Sequence, residues 1–105
     1  MLKINLEFRK GVLFVRLNGS LNDKDSLDSI NSLINEIGFK YIVFNLDNLK
    51  CIDVNGIRCI LDYQDKLLQN HGKLLLCENN KVLSNRIFKN KIPNIKTEIQ
   101  AFDLI

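Results

Sequence analysis

Few side chains in this 105-residue chain combine type and spacing in a way that could do chemistry. A single histidine, His71, excludes a two-His zinc motif and leaves one imidazole to activate a nucleophile. Cys51, Cys59 and Cys77 form no Cys-x-x-Cys pair, and three thiols build no disulfide framework. All three sit among apolar neighbours, the setting of a buried, unreactive thiol. His71 falls in Asn70-His71-Gly72, a helix C-terminus where its partial charge suits the dipole. There is no glycine-rich phosphate loop with its Lys, no G-x-G-x-x-G and no G-x-S-x-G elbow. The carboxylates scatter over helix outer faces as solvated charge. These residues support no enzyme, no cofactor and no metal site.

One segment, Ile42 to Leu61, does place polar groups where they could act. A buried strand and a loop lead to Asp53-Val54-Asn55-Gly56, which opens a helix. The first N–H groups of a helix lack intrahelical acceptors and carry partial positive charge. Such an end can hold a phosphate or carboxylate, or carry a phosphoryl group on a side chain. It can equally be an ordinary cap, with Asp53 or Asn55 satisfying the helix and Gly56 letting the chain turn.

The elements that must position this turn follow from periodicity. Leu2, Ile4, Leu6 and Phe8 alternate with Lys3, Asn5, Glu7 and Arg9, giving a half-buried strand near a sheet edge. Lys10-Gly11 reverses the chain into an apolar strand over Val12 to Leu17, which Gly19 and Ser20 end. Asn22-Asp23 caps a helix whose apolar stripe is Leu27, Ile30, Leu33, Ile34 and Ile37. Tyr41 to Leu46 reads as a covered strand, followed by a loop at Asp47-Asn48. The helix after Gly56 buries Ile57, Ile60, Leu61, Leu67 and Leu68. Lys73 to Cys77 is a further strand, Val82 to Phe88 a third helix, Ile95 to Thr97 a last strand and Glu98 to Ile105 a terminal helix. The order ββαβαβαβα gives a single α/β domain over residues 1–105, with a mostly parallel sheet of four to five strands. An N-terminal antiparallel hairpin strand and about four helices complete it.

With 15 Lys and Arg against 12 Asp and Glu, the net charge of +3 is too small and too evenly spread for a nucleic-acid groove. The excess over Lys81 to Lys96 lacks interleaved aromatics beyond Phe88. No apolar signal core and no window of roughly 20 apolar residues occurs, so a cytoplasmic protein with no membrane segment is expected.

Asn45-Leu46-Asp47-Asn48-Leu49 and Cys51-Ile52-Asp53-Val54-Asn55-Gly56-Ile57 resemble the two halves of the signature of STAS domains, specifically bacterial anti-sigma factor antagonists. That signature typically runs Leu-Asp-Leu-Ser-x-Val-x-Phe-Ile-Asp-Ser-Ser-Gly-Leu. Arg16-Leu17-Asn18-Gly19-Ser20-Leu21-Asn22 is similar to the family's earlier Arg-Leu-x-Gly-Glu-Leu-Asp. The resemblance extends through His71-Gly72-Lys73-Leu74 and Leu83 to Phe88, nearly the whole chain. It implies a non-catalytic regulator that binds an anti-sigma factor, itself a serine kinase, and so releases a sigma factor. In the family, phosphorylation of the serine before the motif glycine ends the binding.

Asn55 stands at that position, so no phosphorylation is expected there, and Asn22 replaces the family's upstream aspartate. The resemblance implies a partner surface made of Asp53, Val54, Asn55 and Gly56, with Ser20, Leu21, Asn22 and Asp23 beside it. Strand C-terminal ends gather at one edge of a parallel sheet, which is why the two stretches should meet. Other readings are a homo-oligomer or STAS scaffold in a larger assembly, and a nucleotide or small-ligand subunit of a signalling or transport complex. In that last case Asn22, Asn55 and the helix N-termini would line the site, and Lys81, Arg86, Lys89 and Lys91 would approach the phosphates.

Overall fold

The computed structural model describes residues 2–21, 28, 31–32, 40–79 and 92–105. The charged alternation at the start forms β1 (Lys3–Arg9), antiparallel to β2 (Val12–Leu21). Lys10 and Gly11 join them with φ of 52° and 84°, the type I′ turn whose twist matches the strands it connects. β3 (Tyr41–Ile52), β4 (Lys73–Cys77) and β5 (Asn94–Ile95) then add in parallel, so the order across the sheet follows the sequence from β1 to β5.

β2, β3 and β4 are apolar on both faces because both are covered. Leu13, Val15, Phe44 and Leu76 lie under helix α1 (Val54–Gln69), which contributes Ile57, Ile60, Tyr63 and Leu67. Phe14, Val43 and Leu75 face the opposite way, under Ala101 and Phe102 of the short helix α2 (Ala101–Leu104).

Several expected boundaries move. β2 continues through Gly19 and Ser20 to Leu21, and β3 through Asp47 and Asn48 to Ile52. The strands stay paired because β3 absorbs extra residues: Arg16 pairs with Asn45 but Asn18 with Asn48, and Gly19 pairs with Leu49 but Ser20 with Cys51. At the first irregularity the Asn45 side chain accepts the Asp47 N–H at 3.0 Å. The last strand is Asn94–Ile95, and the expected terminal helix is a 3₁₀ turn (Glu98–Gln100) leading into α2. There the Gln100 side chain accepts the N–H groups of Lys96 and Thr97, which holds that turn in place.

In α1 the buried stripe centres on Ile60 and takes in Tyr63, while Leu61 is half-buried and Leu68 is 56% exposed. Leu68 lies ~100° around the helix from Leu67, past the edge of the covered face. Two helices rather than about four are delimited among the described residues. The helix expected over 27–37 falls largely outside them, with Asp28, Asn31 and Ser32 in helical backbone, and the one over 82–88 falls wholly outside.

Candidate functional site

The turn into α1 is built on the paired C-terminal ends of β2 and β3, where Ser20 lies opposite Cys51 and Leu21 opposite Ile52. Asp53 is the N-cap, extended at φ −102°, and its Oδ1 accepts the Gly56 N–H at 2.9 Å. The Asp53 carbonyl accepts the Ile57 N–H at 3.0 Å, starting the helix. The cap is tied across the sheet as well, since the Asp53 N–H donates to the Leu21 carbonyl at 3.4 Å.

Gly56 makes this approach possible. A Cβ there would lie 2.5 Å from the Leu21 carbonyl oxygen and 2.7 Å from Ile52 Cγ1. The glycine is therefore a packing requirement, and so is Leu21, whose side chain is fully buried beneath it. Val54 and Asn55 stand on top of this base: Val54 is 66% exposed and Asn55 exposed. Their N–H groups occupy helix positions that have no intrahelical acceptor. Asp53 and Ser20 are half-buried at the margin. Structure thus brings together Ser20, Leu21, Asp53, Val54, Asn55 and Gly56, while Asn22 and Asp23 lie outside the described residues.

Two of the three thiols are poorly suited to nucleophilic chemistry. Burial, followed by the charge of Asp62, pushes Cys59 up to about 11; burial, followed by Asp47 and Glu98, pushes Cys77 up to about 11. Both are protonated at neutral pH and poor nucleophiles. Cys51 is exposed and Cys59 half-buried, contrary to the burial expected of all three. Outward position at the end of β3 accounts for Cys51. Among the described residues no group of three or more His, Cys, Asp or Glu is placed to hold a metal ion.

Sequence reasoning missed a polar cluster on the opposite sheet face. Arg16 donates from Nε and Nη2 to the two oxygens of Glu98 at 2.8 and 2.7 Å, from Nη2 also to Glu7 at 2.7 Å, and from Nη1 to Asn5 at 2.8 Å. Asn45 adds a bond to Glu98 at 2.8 Å. Hydrogen bonds from Arg16 hold the Glu98 carboxyl below its ordinary value, with Asn45 helping and burial opposing. A lone charge within Val12 to Leu17 was the available signal. This cluster fastens the C-terminal segment to the sheet, on the side away from α1.

Comparisons with known proteins agree with this architecture. A family model for the STAS domain matches residues 3–98. An anti-sigma F factor antagonist from Paenibacillus polymyxa is 32% identical over 83 residues, which is 75% of this chain and 70% of that relative. Among solved structures, the unphosphorylated anti-sigma factor antagonist SpoIIAA superposes with a TM-score of 0.78 at 22% identity, covering 97% of this chain and 96% of SpoIIAA. An antagonist from Mycobacterium paratuberculosis gives 0.81 at 14% identity, over 100% of this chain and 94% of its own.

Proposed function

This chain belongs to the STAS domain family, in its anti-sigma factor antagonist branch, and from that membership we propose that it is a non-catalytic regulator which binds an anti-sigma factor of the serine-kinase type and thereby frees a sigma factor. The observation that carries this reading is the exposed pair Val54–Asn55, raised on a rigid base of Asp53, Gly56 and Leu21. Three cross-links hold the base: the Asp53 cap, the Asp53-to-Leu21 backbone bond and the close approach at Gly56. A partner meeting this turn would find a pre-formed surface and lose little ordering entropy on binding.

The chemistry of Asn55 then determines the regulation. A phosphoserine adds about −1.5 to −2 charge to a contact surface, enough to reverse a fit by repulsion and desolvation. Asn55 has no hydroxyl to accept phosphate, and its neutral amide imitates serine in polarity rather than phosphoserine in charge. The surface is therefore kept in its binding-competent form, and control passes to the partner or to the amount of this chain. A cytoplasmic location follows from this role, and among the described residues no helix is long and apolar enough to cross a membrane.

Incubation with the cognate anti-sigma kinase and ATP, followed by intact mass measurement and a binding assay, tests this reading. Unchanged mass with binding retained is the expected result. Phosphate on the chain together with loss of binding would refute constitutive antagonism.

A further inference from the structure

β1 is the edge strand of the sheet among the described residues. Its two-residue I′ turn fixes which backbone groups point outward. Arg9 and Val12 flank the turn as a hydrogen-bonded pair, so Glu7, Asn5 and Lys3 also bond toward β2. The N–H and C=O groups of Ile4 and Leu6 consequently face away from the sheet. Leu6 is 39% and Phe8 60% exposed along the same edge. A seven-residue edge with apolar side chains is a template for another strand.

The charges on β1 select what fits it. We propose that β1 pairs with β1 of a second copy of this chain, antiparallel about a twofold axis through Asn5. In that register the outward-facing groups of Ile4 meet those of Leu6 in the second copy, so the backbone bonding pattern is satisfied on both sides. Lys3 lies opposite Glu7 of the second copy, joining the Arg16 and Arg9 that already flank that carboxylate in its own chain, and the symmetry repeats the pair. Ile4 packs beside Leu6 of the second copy, extending the apolar face that continues to Leu13, Val15 and Leu17.

Shifting the axis to Leu6 sets Lys3 against Arg9, and shifting it to Glu7 sets two glutamates face to face. Like charges directly opposite are destabilising, and axes at Ile4 or Phe8 pair only three residues of each strand, so one register stands out. A single short strand per copy buries less than the ~1,200 Å² of standard interfaces, so the dimer is weak and concentration-dependent. This inference does not depend on the docking role of the α1 turn, which lies at the C-terminal end of β3.

Sedimentation velocity of the full chain from about 10 µM to about 1 mM, at low salt, tests it. Reversible dimerisation is expected, weakened at least ~10-fold by Lys3→Glu, which places like charges opposite each other twice. Lys3 is exposed, so the variant should keep the wild-type circular dichroism spectrum. Asn5→Cys provides a second readout. Non-hydrogen-bonded antiparallel partners lie ~4.5 Å apart at Cα, within disulfide range, so mild oxidation should give a 5–5 disulfide identified by peptide mapping. A chain that stays monomeric at about 1 mM, its edge left open for a strand of another protein, overturns the proposal. So does a dimer that Lys3→Glu leaves unchanged, or one in which Asn5→Cys yields no 5–5 link.

Discussion

Gly56 and Asn55 are adjacent in sequence but do opposite work. Gly56 faces inward, and any side chain there meets the Leu21 carbonyl at 2.5 Å. An alanine would gain about 1 kcal/mol of helix propensity, yet the overlap is with backbone, which cannot rotate aside. Gly56→Ala should therefore destabilise the domain by about 1–3 kcal/mol, read as a lower urea midpoint with the slope unchanged. Asn55 faces outward and its substitution should barely register in the same assay. The Asp53-x-Asn55-Gly56 spacing was legible in the sequence because capping chemistry is local. Leu21 is not legible as the base of the turn: it sits in a polar stretch that reads as surface, and its burial depends on a helix over 30 residues further along.

At the scale of elements, the Arg16–Glu98 contact joins β2 to the segment that covers the second face of the sheet. Folding holds the Glu98 carboxyl below its ordinary value of 4.5, so the ionised form is favoured in the folded state. Its contribution is complete above the unfolded-state value and disappears as pH falls through the lower folded value. Glu78 has the opposite sign: burial and then Asp47 push it up, so its ionisation costs stability at neutral pH and acidification relieves that cost. Glu98→Gln should lower stability at pH 7 by about 1–2 kcal/mol. Wild type and variant should converge as pH falls from 7 through and below the ordinary Glu value of 4.5, measured by denaturant unfolding along that descent. The strands themselves were readable from alternation and apolar runs. Their C-terminal ends were not, because Gly19, Ser20, Asp47 and Asn48 look like loop residues until irregular pairing keeps them in the ladder. The short C-terminal helix was overestimated for a related reason, since its capping depends on Gln100 folding back on Lys96 and Thr97.

For the whole molecule, parallel connection of β2, β3 and β4 carries their C-terminal ends to one edge, and the α1 turn stands there. Arg16, Glu98 and α2 lie on the other sheet face, so the C-terminal latch can be loosened without touching the turn. Glu98→Gln should accordingly leave anti-sigma factor affinity within about twofold of wild type while lowering stability, in a titration run well below the unfolding transition. The parallel α/β class and the leading hairpin were evident from element order, which is a global pattern that survives errors at individual boundaries. The central claim is that Val54 and Asn55 form a protein-docking surface fixed in its unphosphorylated state. Calorimetric titration of the cognate anti-sigma factor with wild type and Asn55→Glu tests it most directly. A carboxylate in the first turn of α1 suits the helix dipole, so the variant should fold as wild type does. It should nevertheless bind at least ~10-fold more weakly, because a desolvated, unpaired charge is placed in the contact. Equal affinity for the two proteins would contradict the account.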